Sequence, residues 1–281
     1  MIAIIGSGPA GVSCALYIAR ANIPVIVFTN HKSSLLKSKA IENYYGTGKI
    51  SGEELYYQGI EDLKKLNVPI YEEEVLNIVW QEDFLIETNK KSYSAGSIVL
   101  ATGSSKKAPN IPNLSNLEGK GVSYCATCDG FFFKNKKVAV IGSEDFALHE
   151  LEYLKNIVSE VTLLTNGKRI TCDSSILKKE TPIQKILGEN KVEGVLFEDN
   201  TTLEVDGIFI ANNYPDSNIL AKKVGILTMD GEINVNHSME TNIPKIFACG
   251  DAVKGTKQIA KAVHEGMQVA LQIINDYKKS R

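Results

Sequence analysis

The feature that most constrains the fold stands at the start of the chain. Residues 2–5 read as a short buried strand, Gly6-Ser7-Gly8-Pro9-Ala10-Gly11 as a tight turn, and residues 12–20 as a helix. Val12, Ala15, Leu16 and Ala19 share one helical face, and residues 24–28 form a second strand. Strand, glycine turn, helix and strand make a βαβ unit. Its glycines let the backbone approach a diphosphate, which the first amides of the helix then receive. The opening therefore predicts a parallel sheet and a bound dinucleotide.

A second unit of this kind follows, with a strand over 138–141, a helix over about 146–155 and a strand over 161–164. Between the two lie a helix over 53–66 and an apolar strand over 97–100 that ends in Ala101-Thr102-Gly103. Further strands are expected over 194–197, 207–211 and 245–248, and a long helix over 257–277 closes the chain. A domain boundary is expected near Pro109 to Pro112. With 281 residues, 43% of them hydrophobic, there is material for two cores. The fold class is α/β, with two tandem Rossmann-like domains of the FAD/NAD(P)-binding type.

The formal charge of -2 supplies no global attraction for nucleic acid or acidic lipid. No apolar run reaches the roughly 18 residues of a membrane span. Strand-like sequence begins at Ile2 with no basic leader, so a cytoplasmic location is expected. Lys134, Lys136 and Lys137 form a local basic group, either a docking point for an acidic partner or a solvated face.

The chemistry concentrates in Cys125-Ala126-Thr127-Cys128-Asp129-Gly130. Half a zinc site is the plain reading of two such cysteines, but tetrahedral zinc needs four ligands and no second pair has the spacing. The other cysteines, Cys14, Cys172 and Cys249, are scattered, and apolar surroundings mark Cys14 and Cys249 as buried thiols. No metal site is expected. In a reducing compartment a structural staple is unusual, so the pair reads as a redox dithiol. Asp129 is the natural proton carrier for the neighbouring thiolate, the plain alternative being a simple Asp-Gly turn.

These motifs, with Glu42-Asn43-Tyr44 and Phe247-Ala248-Cys249-Gly250-Asp251, make the chain resemble the low-molecular-weight thioredoxin reductases over essentially its whole length. The resemblance implies that the second domain is inserted in the first: an FAD domain from residues 1–110 and 237–281, and a middle domain, 111–236, carrying the dithiol and normally an NADPH site. It implies that Gly6, Gly8, Pro9, Ala10, Gly11, Asn43, Ala101, Thr102, Gly103, Gly250, Asp251, Gln258 and Ile259 line the FAD site. Asp251 would accept from the ribityl chain, and Gln258 and Ile259 would flank the isoalloxazine ring. Without the resemblance they read as a helix cap, a surface residue and a core residue, and Asn43 as a turn residue. The resemblance further implies a homodimer and a domain rotation about links near Pro112 and Asn236. It makes Cys128 the flavin-proximal sulfur and Cys125 the thiol that meets thioredoxin.

The second loop departs from that family. Gly142-Ser143-Glu144-Asp145-Phe146-Ala147 puts Glu144 where a glycine is usual, and two carboxylates where phosphates would lie. Where the family has a His-Arg-Arg cluster, this chain has Thr165-Asn166-Gly167, with Lys168 and Arg169 displaced in register. Arg20 and Arg281 are the other arginines. The combination resembles the ferredoxin-dependent flavin thioredoxin reductases, so thioredoxin and ferredoxin are the expected partners. An NADPH-dependent enzyme with an atypical pocket, or a dithiol oxidase using oxygen, are the alternatives. His31, His149, His237 and His264 do not cluster; His264 and Tyr45 depart from the family near the flavin, and packing is the plain reading for both.

Overall fold

The computed structural model describes residues 1–104, 109–171, 173, 175–211, 217–229 and 231–279. In chain order its elements begin with β1 (Ile2–Ile5), α1 (Pro9–Arg20), β2 (Val25–Thr29), α2 (Gly52–Lys65) and β3 (Ile70–Glu72). A meander follows, β4 (Val75–Trp80), β5 (Phe84–Thr88) and β6 (Ser92–Ala95), and then β7 (Ser97–Leu100). Next come β8 (Val122–Ser123), α3 (Ala126–Asp129), β9 (Lys137–Ile141), α4 (Asp145–Lys155), β10 (Glu160–Leu164) and β11 (Lys178–Lys179). After β12 (Ile183–Leu187), β13 (Gly194–Phe197), β14 (Thr202–Glu204) and β15 (Gly207–Ile210) stand α5 (Ser217–Lys223), β16 (Thr228–Met229) and β17 (Glu232–Ile233). The chain closes with β18 (Ile246–Ala248) and α6 (Ile259–Lys279). Among the described residues no helix is long and apolar enough to cross a membrane.

Two compact units result, residues 1–105 with 216–281, and residues 106–215. In the first, five parallel strands run in the order β18-β7-β1-β2-β3. Alternation along β1 divides its core in two. Ile2 and Ile4 pack with Cys14, Ala15 and Ile18 of α1 and Val269, Ala270 and Ile273 of α6. Ala3 and Ile5 face the other way, toward Ile78, Phe84 and Ile86 of the meander and Leu220 and Ala221 of α5. Helix α2 starts where Ser51 Oγ accepts the Glu54 N–H at 3.0 Å, with Glu53 and Glu54 in its first turn and Lys64 and Lys65 in its last.

The second unit repeats the plan with strand order β11-β10-β9-β15-β8, all parallel. Ala139, Ile141, Ile208 and Ile210 build its core with Ile186, Val195 and Phe197 of the β12-β13-β14 meander. Its outer strand β8 comes from the segment just ahead of the dithiol. Because the strands are parallel, Cys125 emerges at the same carboxyl edge as the Gly142 turn, the edge at which α/β sheets hold ligands.

The family resemblance assigned 216–236 to the inserted domain, but α5, β17 and the segment between them supply Leu220, Ala221, Ile226 and Ile233 to the core beside Phe28 and Phe84. The chain thus returns to the first unit at 215/216 and leaves it at 105/106. Asn236, expected at a link, is a turn residue within the first unit, its Oδ1 accepting the N–H groups of Ser238 and Glu240. A short apolar helix carries no local mark of which core it covers.

Candidate active site

In the first unit the opening turn is shaped by backbone against backbone. Gly6 has φ +110°, and a Cβ there would lie 2.3 Å from the Ala101 carbonyl oxygen. A Cβ on Gly11 would lie 1.9 Å from the Gly6 oxygen. Helix α1 therefore begins close against β1. Pro9 occupies its first turn, no side chain caps it, and its first bond runs from Val12 N–H to Gly8 C=O at 3.0 Å. Ala10 and Gly11 are buried there, and their amides point out of the helix start. Gly8 leaves space, since an added Cβ would have only Ser33 Oγ near it, at 3.5 Å.

The other residues expected at the cofactor converge on the same unit. Ala101 donates its N–H to Ile5 C=O at 2.9 Å, and Thr102 and Gly103 follow directly at the carboxyl end of β7. Gly250 (φ +72°) abuts Ala10: a Cβ on it would lie 2.8 Å from the Ala10 Cβ. The Gly250 N–H donates to buried Glu265 at 2.9 Å, and Lys261 Nζ donates to the Gly250 oxygen at 2.8 Å. Asp251 lies in the turn Gly250–Ala252 ahead of α6 and does not cap that helix. Asn43 Nδ2 donates to Gln258 Oε1 at 3.2 Å across 215 residues of chain. Gln258 precedes Ile259, the first residue of α6, which starts two residues later than the sequence reading placed it. Tyr45 is exposed, with 99% of its surface free.

A polar set that sequence reasoning missed closes the far side of this turn. Buried Ser7 shares hydrogen bonds with Thr29 Oγ1 (2.5 Å) and Tyr56 OH (2.7 Å), and His31 Nδ1 reaches the same phenol at 3.0 Å. His31 Nε2 lies 3.2 Å from Glu72. The set stands at the carboxyl end of β2, where Rossmann units receive a ribose. Only the hydroxyl of Ser7 inside the glycine turn hints at it in sequence. Cys14 and Cys249 are buried as expected. Burial raises both thiols well above their ordinary range, reinforced by Cys249 at Cys14 and by Glu265 at Cys249, where Lys261 opposes.

In the second unit Cys125 and Cys128 form a disulfide with Cα atoms 5.3 Å apart. Cys125 caps the one-turn helix α3, its Sγ accepting the Cys128 N–H at 3.2 Å. Cys125 is 2% exposed, whereas Cys128 is open. Ser123 ties the motif together: its Oγ accepts the Cys125 N–H at 3.1 Å and donates to Asp129 Oδ2 at 2.5 Å. Asp129 is thus fixed at the end of the dithiol helix. Glu150 of α4, which the sequence reading passed over, is buried and accepts the Ala126 N–H at 2.7 Å. Phe131 and Phe132 follow at 73% and 71% exposure, while Phe133 packs edge-on against Phe209.

The second glycine turn differs in chemistry from the first. Gly142 is required, since a Cβ would lie 2.4 Å from the Ala211 oxygen and 2.7 Å from the Ala147 Cβ. Beyond it Glu144 takes the N-cap position of α4 and Asp145 its first turn, where α1 has Gly8 and Pro9. At the end of β10, Thr165 Oγ1 donates to the Lys168 oxygen and Asn166 Oδ1 accepts the Ile183 N–H at 2.7 Å. Lys168 and Arg169 stand exposed beyond them.

Residues 1–266 match the family model of the pyridine nucleotide-disulphide oxidoreductases. The chain belongs to this family. It is 35% identical to the thioredoxin reductase of Buchnera aphidicola subsp. Acyrthosiphon pisum (strain APS), over 90% of this chain and 88% of that one. To the thioredoxin reductase of Bacillus subtilis (strain 168) it is 30% identical, over 98% and 94%. Among solved structures it superposes on the atypical thioredoxin reductase TRi of Desulfovibrio vulgaris Hildenborough with TM-score 0.93, at 33% identity over 100% and 98% of the two chains. For a ferredoxin-flavin thioredoxin reductase of Clostridium acetobutylicum the TM-score is 0.75, at 33% identity over 99% and 98%. The protein is thus a flavoprotein of the thioredoxin reductase type with a close cysteine pair, and FAD is its cofactor. The uncapped amides of α1 and the open face of Gly8 fit the FAD diphosphate.

Proposed function

We propose that the protein reduces thioredoxin through FAD and the Cys125/Cys128 pair, with reduced ferredoxin rather than NADPH as electron source. The observation that carries the choice of donor is the pair of carboxylates, Glu144 and Asp145, at the start of α4. A dinucleotide diphosphate at that edge would meet two negative charges in place of open glycine backbone. The exposed Lys168 and Arg169 supply charge beyond β10, but not the forked arginine cluster suited to a 2′-phosphate.

FAD, when bound, accepts electrons singly from an iron-sulfur donor and delivers them as a pair to a disulfide. The rest of the chemistry belongs to the chain. Two electrons and two protons open the Cys125–Cys128 bond to two thiols. The Cys125 thiolate then attacks a thioredoxin sulfur, giving a mixed disulfide, and the Cys128 thiolate attacks Cys125 sulfur, restoring the pair and releasing reduced thioredoxin. Asp129, held by Ser123, exchanges the proton at these sulfurs. Because Cys125 is 2% exposed, this role requires a motion that brings its sulfur to the surface. Exposed Phe131 and Phe132 beside the dithiol suit a protein substrate. Lys134 and Lys136 offer nearby positive charge, while Lys137 faces Glu160 at 3.8 Å. The same reading takes the protein as a cytosolic homodimer.

The test is anaerobic. Reduced ferredoxin and NADPH are supplied separately to the oxidised holoprotein, flavin absorbance is followed, and thioredoxin thiols are then counted. Ferredoxin is expected to bleach the flavin and support thioredoxin reduction, and micromolar NADPH is not. Turnover with NADPH would establish the alternative nucleotide-dependent enzyme. Peroxide release with a small dithiol and no response to ferredoxin would establish an oxidase.

A further inference from the structure

We infer that Glu150 is a positioning residue that makes the dithiol a stronger reductant by holding a negative charge at the start of the dithiol helix, on the amide that follows Cys125. Glu150 is 2% exposed and its Oε2 accepts the Ala126 N–H at 2.7 Å, one peptide unit from Cys125. That amide belongs to the start of α3, whose Cys128 N–H already donates to Cys125 Sγ at 3.2 Å. Two groups of opposite effect thus act on the start of α3, the Cys128 amide at the Cys125 sulfur and the carboxylate at the adjoining Ala126 amide. The Cys128 amide, with Thr127 Oγ1 at 3.4 Å, favours a Cys125 thiolate. The Glu150 carboxylate, in a region with little water to screen it, disfavours one.

The redox consequence follows from the proton count. Reduction breaks the S–S bond with two electrons and takes up two protons if both cysteines become thiols, or one if Cys125 stays a thiolate. Stabilising the thiolate stabilises the reduced form and makes the pair an oxidant; disfavouring it makes the pair a reductant. A reductase needs the second. His149 Nδ1 lies 3.4 Å from Glu150 Oε1, and α3, which packs on α4, carries Cys128 and Asp129 with Cys125 as its cap. Strands β9 and β10, on which α4 packs, carry Lys137 and Glu160 as their first residues, 3.8 Å from each other, and no titratable group over 138–141 and 161–164.

This inference rests on the dithiol acting as a reductant, but its test needs neither ferredoxin nor thioredoxin. Holoprotein is equilibrated anaerobically with dithiothreitol of graded oxidised-to-reduced ratio, quenched with a maleimide, and the Cys125/Cys128 peptide weighed. Dithiothreitol supplies both electrons and protons and closes to its cyclic disulfide. Glu150→Gln keeps an oxygen for the Ala126 amide and removes only the charge. We expect the equilibrium to move about tenfold toward reduced protein, ~30 mV for a two-electron couple, and the pH midpoint of Cys125 alkylation to fall. A folded E150Q protein with wild-type equilibrium and alkylation profile would overturn the inference, because a purely structural cap survives in glutamine. If E150Q does not fold, infrared difference spectra of the wild type at neutral pH decide. An ionised carboxylate band in both redox states is expected, and a protonated carboxyl band would overturn the idea. A thioredoxin assay that failed while the E150Q shift appeared would count against the substrate, not against Glu150.

Discussion

Replacing Gly11 with alanine probes the FAD cradle we propose at the start of α1, where the geometry leaves least room. The new Cβ would stand 1.9 Å from the Gly6 oxygen, 3.0 Å from its carbonyl carbon and 3.3 Å from Ile4 Cγ2, against 3.4 Å or more for ordinary contact. The nearest of these neighbours is backbone, so no rotamer change relieves the overlap. The start of α1 must move away from the β1 turn, carrying the Ala10 and Gly11 amides with it. Each hydrogen bond from such an amide to a charged phosphate contributes roughly 1.5–3 kcal/mol. Losing the equivalent of one to two weakens FAD by about 3 kcal/mol, on the order of 100-fold in Kd. Titration of apoprotein with FAD, read by flavin fluorescence, measures this directly, and the apoprotein melting temperature should fall as well. Gly8→Ala is the companion variant. Its φ of -73° suits alanine and its nearest neighbour is Ser33 Oγ at 3.5 Å, so the apoprotein should lose no more than about 1 kcal/mol while FAD affinity still drops. Wild-type FAD affinity and melting in Gly11→Ala would refute the account of the cradle.

Cys128→Ser should trap a stable mixed disulfide between Cys125 and thioredoxin, whereas Cys125→Ser should trap none; peptide mass analysis reads the adduct, and a Cys128 adduct in the second variant would reverse the assigned roles. Phe131→Ala with Phe132→Ala removes exposed rings that pay no part in the core, so melting should be unchanged while KM for thioredoxin rises about tenfold and small-disulfide reduction does not. Glu73 gives a pH test. Burial alone would raise its carboxyl, but hydrogen bonds from Thr88 and Tyr93, each 2.7 Å, and the charges of Lys90 and Lys91 outweigh it and hold the group below its ordinary 4.5. The unfolded chain then binds more protons in the window just below that value, so this stabilisation is present above it and is lost as pH falls through the folded value. The melting-temperature advantage of wild type over Glu73→Gln should therefore shrink as buffer pH is lowered from 7 toward 3, and an advantage that grows would contradict the sign.

Most strands legible in sequence belong to the two parallel sheets. β1 and β7 coincide with the expected spans, and β9, β10 and β15 differ by a residue, because strands covered on both faces carry unbroken apolar runs. β13, whose partners are antiparallel, was read from its own apolar run. The β4-β5-β6 meander went unread, since Asn77, Glu87 and Ser92 interrupt its apolar pattern, and their partners lie on neighbouring strands. Ser123 and Glu150 were equally silent. A serine before a cysteine reads as a loop residue, and a glutamate in an amphipathic helix reads as a solvated one. Their roles come from hydrogen bonds to Asp129, Cys125 and Ala126 that only folding creates.

The amino-acid sequence by itself determined the paired βαβ plan, the dinucleotide turn, the redox dithiol and the acidic departure in the second turn. All of these are written in residues adjacent along the chain, where periodicity and backbone freedom act locally. Tertiary structure alone decided that α5 joins the first core, that Asn43 meets Gln258, and that a carboxylate from α4 is buried against the start of the dithiol helix. Those depend on distances between segments remote in sequence, which are set by how sheets and helices share their apolar faces and have no local signature.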